Sequence, residues 1–214
     1  MKILAVDTAL GACSVAVMEG ERILSRRFME MARGHAEALA PMVRDAVEEA
    51  GIVYAALDRL AVTTGPGTFT GQRVGLAFMR GLKLALKRPL AGITTLEAMA
   101  AATQSLRAAA IHDAKRDEAY LLLWEEGETV LEPQLLPFAE AVEKIRAFGS
   151  CALAGTGVPQ AGGILGASFL PTDIRQPDAF WVARAALMRP LPDKVPAPLY
   201  LRAPDAKLPT MRPG

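Results

Sequence analysis

The stretch AVDTALGACSVAV, residues 5–17, decides how the chain is read. An apolar run ends at Asp7, a short turn follows through Thr8, Ala9, Leu10 and Gly11, and a second apolar run starts near Ser14. After Glu19-Gly20-Glu21 comes a third run, residues 22–29, so three strands joined by tight turns are predicted. The period then changes. Leu39, Met42, Val43, Ala46, Val47 and Ala50 recur at helical spacing, with Gly51 as a stop. Pro41 falls near the predicted helix start, where proline does least damage. Residues 60–64 read as a strand running into Gly65-Pro66-Gly67, and residues 71–87 as a second helix with Thr70 as its N-cap. Val74, Leu76, Ala77, Phe78, Met79, Leu82, Leu84, Ala85 and Leu86 cover more than one face of it, which predicts burial on two sides.

The second half repeats this grammar. AIHDAKRDEAYLLL (110–123) answers the opening stretch, and CALAGTGVP (151–159) answers RLAVTTGPG (59–67). Strands are predicted at 108–112, 119–124, 129–136 and 151–154, and helices at 138–148 and 180–188. Each half therefore reads strand-Asp-turn-strand-strand-helix-strand-Gly loop-helix, a duplication that outweighs any single motif. The expected division is 1–104, 105–189 and a tail, 190–214, extended because it holds seven prolines. This element order matches the duplicated ribonuclease-H-like unit of the actin-like (ASKHA) proteins: an α/β fold of two mixed sheets flanked by helices. Element order assigns no chemistry.

Composition narrows the class. Of 214 residues, 51% are apolar and 22% charged, too apolar and too balanced for a disordered chain. Lys+Arg number 24 against 23 Asp+Glu, so net charge alone gives no footprint for nucleic acid or an anionic membrane. Two distant cysteines, Cys13 and Cys151, make no disulfide framework. Asp7 breaks the N-terminal apolar run before it reaches signal-peptide length. The uncharged stretch 147–172 contains six glycines and two prolines and does not read as a membrane helix. A soluble cytoplasmic protein with no membrane partner is expected.

Asp7 and Asp113 end the first strand of each half and are the candidates for holding magnesium or a nucleotide-bound water. A phosphate cradle is usually richer in glycine. The first turn has one glycine, and the second, Asp113-Ala114-Lys115-Arg116-Asp117, has none and carries four charges. The plainer reading is that each Asp caps its own turn. A two-metal nuclease would need further carboxylates, and Thr63-Thr64-Gly65 supplies none. The two histidines, His35 and His112, lack a second His at ligand spacing, and no serine sits in a nucleophile elbow. Gly65, Gly67, Gly71 and Gly75 read as glycines of a close-packed strand-to-helix connection, although free N–H groups at such a start can take an anion.

ILAVDTA, GHAEALAPMV, TTGPGTFTGQRVGLAFMRGLKLA, GITTLEAMA, DAKRDEAY and PLYLR stand in the order and spacing of the TsaB (YeaZ) family, which the chain resembles along nearly its whole length. TsaD, the larger paralogue, has two metal-binding histidines in the segment matching GITTLEAMA. Here those positions are Thr95 and Met99. The resemblance implies a non-catalytic scaffold subunit with no cofactor of its own, ATP and magnesium entering only through partner subunits. It implies pairing with TsaD and TsaE for N6-threonylcarbamoyladenosine formation at position 37 of tRNAs reading ANN codons, contact with tRNA only through the complex, and a homodimer in isolation. The implied partner interface lies on the helices at 34–50 and 71–87, at His35, Leu39, Met42, Val43, Arg73, Val74, Phe78 and Leu82. Gln72 departs from the apolar residue expected there. An actin-like ATP-binding enzyme acting alone is the alternative, and a metallopeptidase a third reading.

Overall fold

A computed structural model describes residues 1–190 and 194–202. Within the expected tail 190–214, residues 191–193 and 203–214 therefore lie outside the described residues. The first half contributes β1 (Lys2–Asp7), β2 (Ala12–Glu19), β3 (Arg22–Glu30), α1 (His35–Glu49), β4 (Arg59–Thr63), α2 (Phe69–Leu86), β5 (Leu90–Ile93) and α3 (Thr95–Ala102). The second contributes β6 (Arg107–Lys115), β7 (Glu118–Glu125), β8 (Glu128–Pro137), α4 (Phe138–Phe148), β9 (Ala152–Ala154), α5 (Val158–Leu165), β10 (Leu170–Pro171) and α6 (Ala179–Met188).

The two sheets have orders β3-β2-β1-β4-β5 and β10-β9-β6-β7-β8, and these are one topology written twice. In each, three antiparallel strands continue into two parallel ones across the first strand of the repeat. Parallel pairing requires a crossover, and helices supply it. Ile3 to Asp7 are all buried because helices cover both faces of the sheet, hence the unbroken apolar run where a half-solvated strand would alternate.

The third helix of each repeat is exchanged. α3 packs through Leu96, Met99 and Ala100 on Ala108, Ala110, Leu122 and Ala152 of the second sheet. α6 packs through Ala179, Val182, Ala183 and Ala186 on Ile3, Ala5, Ala16, Ala61 and Ala91 of the first. Residues 180–188, grouped from sequence with 105–189, thus cover the other half's sheet. Alanines on both inner faces let the exchanged helices approach closely. Polar anchors hold α6 at both ends. Ser14 Oγ accepts from Ala179 N (2.9 Å), Arg26 pairs with Asp178 (2.8 Å), and buried Arg59 donates to the Ala186 and Arg189 carbonyls at the negative end of the helix.

Three local expectations change. Thr68, not Thr70, caps α2, its Oγ1 accepting from Gly71 N (3.1 Å). Pro41 lies within α1, which starts at His35 after Gly34 in the left-handed region (φ 89). α5 and β10 fall inside the uncharged stretch 147–172, where glycines hid a short helix.

Candidate functional site

Where the β1–β2 turn meets the start of α2, the backbone is consumed by packing. A Cβ on Gly67 would lie 2.3 Å from the Ala9 carbonyl oxygen, and one on Gly71 2.2 Å from that of Thr8. Only glycine permits this approach. Thr68 N donates to Ala9 O (2.8 Å), Thr8 Oγ1 donates to Gly71 O (2.7 Å) and Gly75 N donates to Thr8 Oγ1 (3.0 Å). Two of the turn's amides are engaged too: Ala9 N donates to Asp7 Oδ1 (3.2 Å) and Gly11 N to Gln176 Oε1 (2.8 Å).

Asp7 is fully buried. Its Oδ1 accepts from Thr63 Oγ1 (2.6 Å), while buried Oδ2 has no partner. Burial opposes the charged carboxylate and raises its pKa to about 7, against the lowering effect of the two hydrogen bonds. Asp113 is the opposite case. It is half-exposed, accepts from Lys115 N (2.7 Å) and pairs with Lys115 Nζ (2.7 Å), which holds its pKa below the usual range. Each Asp therefore caps its own turn. Beside Asp113, His112 is buried with Nδ1 unpartnered, and burial depresses its pKa to about 4.

Thr95 is buried with Oγ1 donating to Pro66 O (2.6 Å) and N donating to Gly65 O (2.9 Å), so it staples the Gly-Pro-Gly loop to α3. Met99 is buried among Leu96, Ala108 and Leu122. Among the described residues no group of three or more His, Cys, Asp or Glu is placed to hold a metal ion, and no helix is long and apolar enough to cross a membrane.

The expected interface divides. Leu39, Met42 and Val43 are buried in the protein's own core with Val15, Leu60 and Leu76, and so cannot line a docking surface. α1 has one apolar stripe, and its sheet uses it up. His35 Nε2 donates to Leu10 O (3.1 Å) and fixes the start of α1. α2 differs. Leu76 and Met79 face inward, Val74, Phe78 and Leu82 are half-buried, and Ala77, Gly81 and Ala85 are exposed with Leu84, which is 76% exposed. The predicted two-sided burial of α2 is thus not met within the chain. Gln72, the departure from the family pattern, is buried with Nε2 donating to Gly67 O (3.0 Å).

Sequence reasoning missed what Arg73 does. Its guanidinium stacks 3.6 Å from the Phe69 ring centroid, and Nε donates to Tyr200 OH (2.9 Å), whose ring stacks on Phe69 (4.9 Å). Leu199 N donates to Thr64 O (2.7 Å), and Arg202 donates to Ala114 O (2.8 Å) and pairs with Glu118. The segment PLYLR is therefore a strap from α2 to the β6–β7 hairpin.

The family model of TsaD, described as tRNA N6-adenosine threonylcarbamoyltransferase, matches residues 29–160. The Escherichia coli tRNA threonylcarbamoyladenosine biosynthesis protein TsaB is 35% identical over 150 residues, 64% of each chain, so the match spans under two thirds of that relative. Two Pseudomonas aeruginosa structures are similar over most of their length. One, described by its similarity to peptidase YeaZ, is 30% identical, covers 94% of this chain and 99% of its own, and has a TM-score of 0.78. The other, YeaZ, is 32% identical, with 86% and 90% covered and a TM-score of 0.73. At 11% identity and a TM-score of 0.53, component A of Acidaminococcus fermentans (R)-2-hydroxyglutaryl-CoA dehydratase shares the fold alone, over 87% of this chain and 99% of its own. The duplicated topology, the Gly-Pro-Gly seat of α2 and this likeness along the chain together make it a member of the TsaB/YeaZ family.

Proposed function

We propose that the chain is a non-catalytic scaffold subunit in N6-threonylcarbamoyladenosine formation at position 37 of ANN-decoding tRNAs. It pairs with a TsaD-type transferase, acts with the ATPase TsaE, and self-associates through the same surface when alone. The observation that carries this reading is α2. Val74, Phe78 and Leu82 lie half-buried beside exposed Ala77, Gly81 and Ala85, a strip with small residues that admits another helix closely. The alternative of an ATP-binding enzyme acting alone loses support from the Ala9 and Gly11 amides, which already have protein acceptors. At the positions matching the TsaD histidines, Thr95 and Met99 serve packing. We assign the chain no cofactor of its own.

Reconstitution tests the reading: tRNA, TsaD, TsaE and the threonylcarbamoyl-adenylate synthase, with and without this chain. Modification is expected to depend on it, and equal modification without it overturns the proposal. Val74→Glu or Leu82→Arg is expected to weaken pairing at least about tenfold with the fold intact. Unchanged association in sedimentation counts against the α2 surface.

A further inference from the structure

Charge along the chain is strongly uneven. Residues 59–96 contain Arg59, Arg73, Arg80, Lys83, Lys87 and Arg88 and no acid, although the whole chain is only +1, so the remaining sequence is net acidic. Three of these cations have structural work. Arg59 holds the end of α6, Arg73 stacks on Phe69, and Arg80 donates to Pro196 O (2.5 Å). The others converge with Lys194 on a groove of about 420 Å³ lined by Lys83, Leu84, Lys87, Arg88, Pro89, Leu90, Lys194 and Val195. Among the described residues that line it, four are cations and none is an acid. Arg88 donates to Ala55 O (3.0 Å), while Lys83, Lys87 and Lys194 form no ion pair with a described carboxylate.

We infer that this groove is a contact site for the phosphate backbone of the tRNA, a direct contact that rests on the tRNA-modification reading above. Lys83 lies in the last turn of α2 and Lys87, in the left-handed region (φ 54), is its C-cap, so both stand at the same end of the helix. The end of α2 is the negative pole of its dipole, so a small anion is not drawn to the helix axis. A polyanion lying across the side of the last turn meets Lys83, Lys87, Arg88 and Lys194 without meeting the helix end. Leu84, Pro89 and Val195 give the groove an apolar floor for ribose. Contacts to phosphate position a nucleic acid without reading its sequence. The half-buried strip Val74–Phe78–Leu82 is left for the partner subunit.

The test is fluorescence anisotropy with a labelled, unmodified transcript of an ANN-decoding tRNA, on the full chain alone and paired with the TsaD-type subunit. The triple variant Lys83→Gln/Lys87→Gln/Lys194→Gln is expected to bind roughly tenfold or more weakly near 0.1 M salt. Its log–log salt slope should be shallower by about two to three. A comparison triple, Arg22→Gln/Arg33→Gln/Lys144→Gln, removes the same charge elsewhere and is expected to stay within about twofold. Equal loss in both triples, or no loss in the first, overturns the inference. So does competition by poly-L-glutamate as effective as by unlabelled tRNA, which would make the occupant an acidic polypeptide. Sedimentation of the same variants with the TsaD-type subunit separates the two readings. Pairing by the lysine triple with unchanged tRNA affinity sinks only the groove, whereas no pairing by the unsubstituted chain sinks the scaffold reading.

Discussion

The turns that end β1 and β6 occupy the same place in the duplicated topology and solve the same problem in opposite ways. The first is sealed. Asp7 is fully buried with one oxygen unpartnered, and the Thr8 and Ala9 carbonyls are packed against glycines at the start of α2. The second is open and charged. Asp113 is clamped by Lys115, and three successive non-glycine residues, Lys115, Arg116 and Asp117, take left-handed backbone angles. Duplication preserved strand order and left the electrostatics of each turn free to diverge. In neither turn does the Asp hold out a free pair of oxygens for a bridging metal ion.

The largest test of this contrast uses two helix glycines. Gly71→Ala on α2 drives a Cβ into the Thr8 carbonyl and is expected to cost about 4 kcal/mol, on the order of 10 °C in Tm. Gly162 on α5 has nothing within 4 Å of its would-be Cβ, and Gly162→Ala is expected to stabilise by about 0.5–1 kcal/mol. Equal losses in thermal denaturation would mean that the close seat of α2 on the first turn sets no special demand for glycine.

The next test is pH. The raised pKa of Asp7 means that the native state keeps a proton the unfolded chain has lost, so its contribution to stability is full below about pH 4 and falls as pH rises through about 7. The depressed pKa of His112 acts in reverse: its contribution is full above about 6.5 and is lost as pH falls toward about 4. The two slopes oppose each other across the same window and flatten the wild-type profile. Asp7→Asn should gain on wild type by roughly 4 kcal/mol between pH 4 and pH 8. His112→Asn should shift the other way, by roughly 3 kcal/mol. Parallel denaturation profiles for wild type and both variants would refute both assignments.

The third test separates the outer helices. Leu39→Ala on α1 opens a core cavity and should cost about 3 kcal/mol. Leu82→Ala on α2 should cost about 1 kcal/mol in stability and weaken association instead. Chemical denaturation beside sedimentation reads both quantities.

Much of this fold was legible because it rests on periodicity. The strand-Asp-turn-strand pattern, written twice, exposed the duplication, and α4 was bounded correctly because Phe138, Val142 and Ile145 recur at helical spacing and all are buried. The exchange of α3 and α6 was not legible. Ala-rich helices carry no label for which alanine-faced sheet they cover, and the anchors that decide it, Ser14, Arg26 and Arg59, lie more than a hundred residues from α6. The same limit applied to the interface. Helical spacing marked Leu39, Met42 and Val43 as one apolar stripe but could not say that the chain's own sheet buries it. α2 betrayed itself by having too many apolar faces for one sheet. The sealed state of the first turn was half legible: the place of Asp7 at a strand end marked a cap, but the glycines that pack on Thr8 and Ala9 lie about sixty residues away.

The smallest effect concerns the strap, which alone of the tail's described features reaches from α2 to the second half's open turn. Tyr200→Ala removes the stack on Phe69 and the acceptor of Arg73, at an expected cost of about 1–1.5 kcal/mol. Tyr200→Phe keeps the ring and loses only the hydroxyl, so about 0.5 kcal/mol is expected for an exposed hydrogen bond. Arg202→Ala frees the other end, where a half-exposed pair with Glu118 is worth little more. If the strap joins the halves, combining Tyr200→Ala with Arg202→Ala should cost less than their sum, because releasing either end already frees the segment between. Strict additivity in denaturant midpoints at constant m-value would mean that each anchor acts within its own half and that the two turns communicate through the exchanged helices alone.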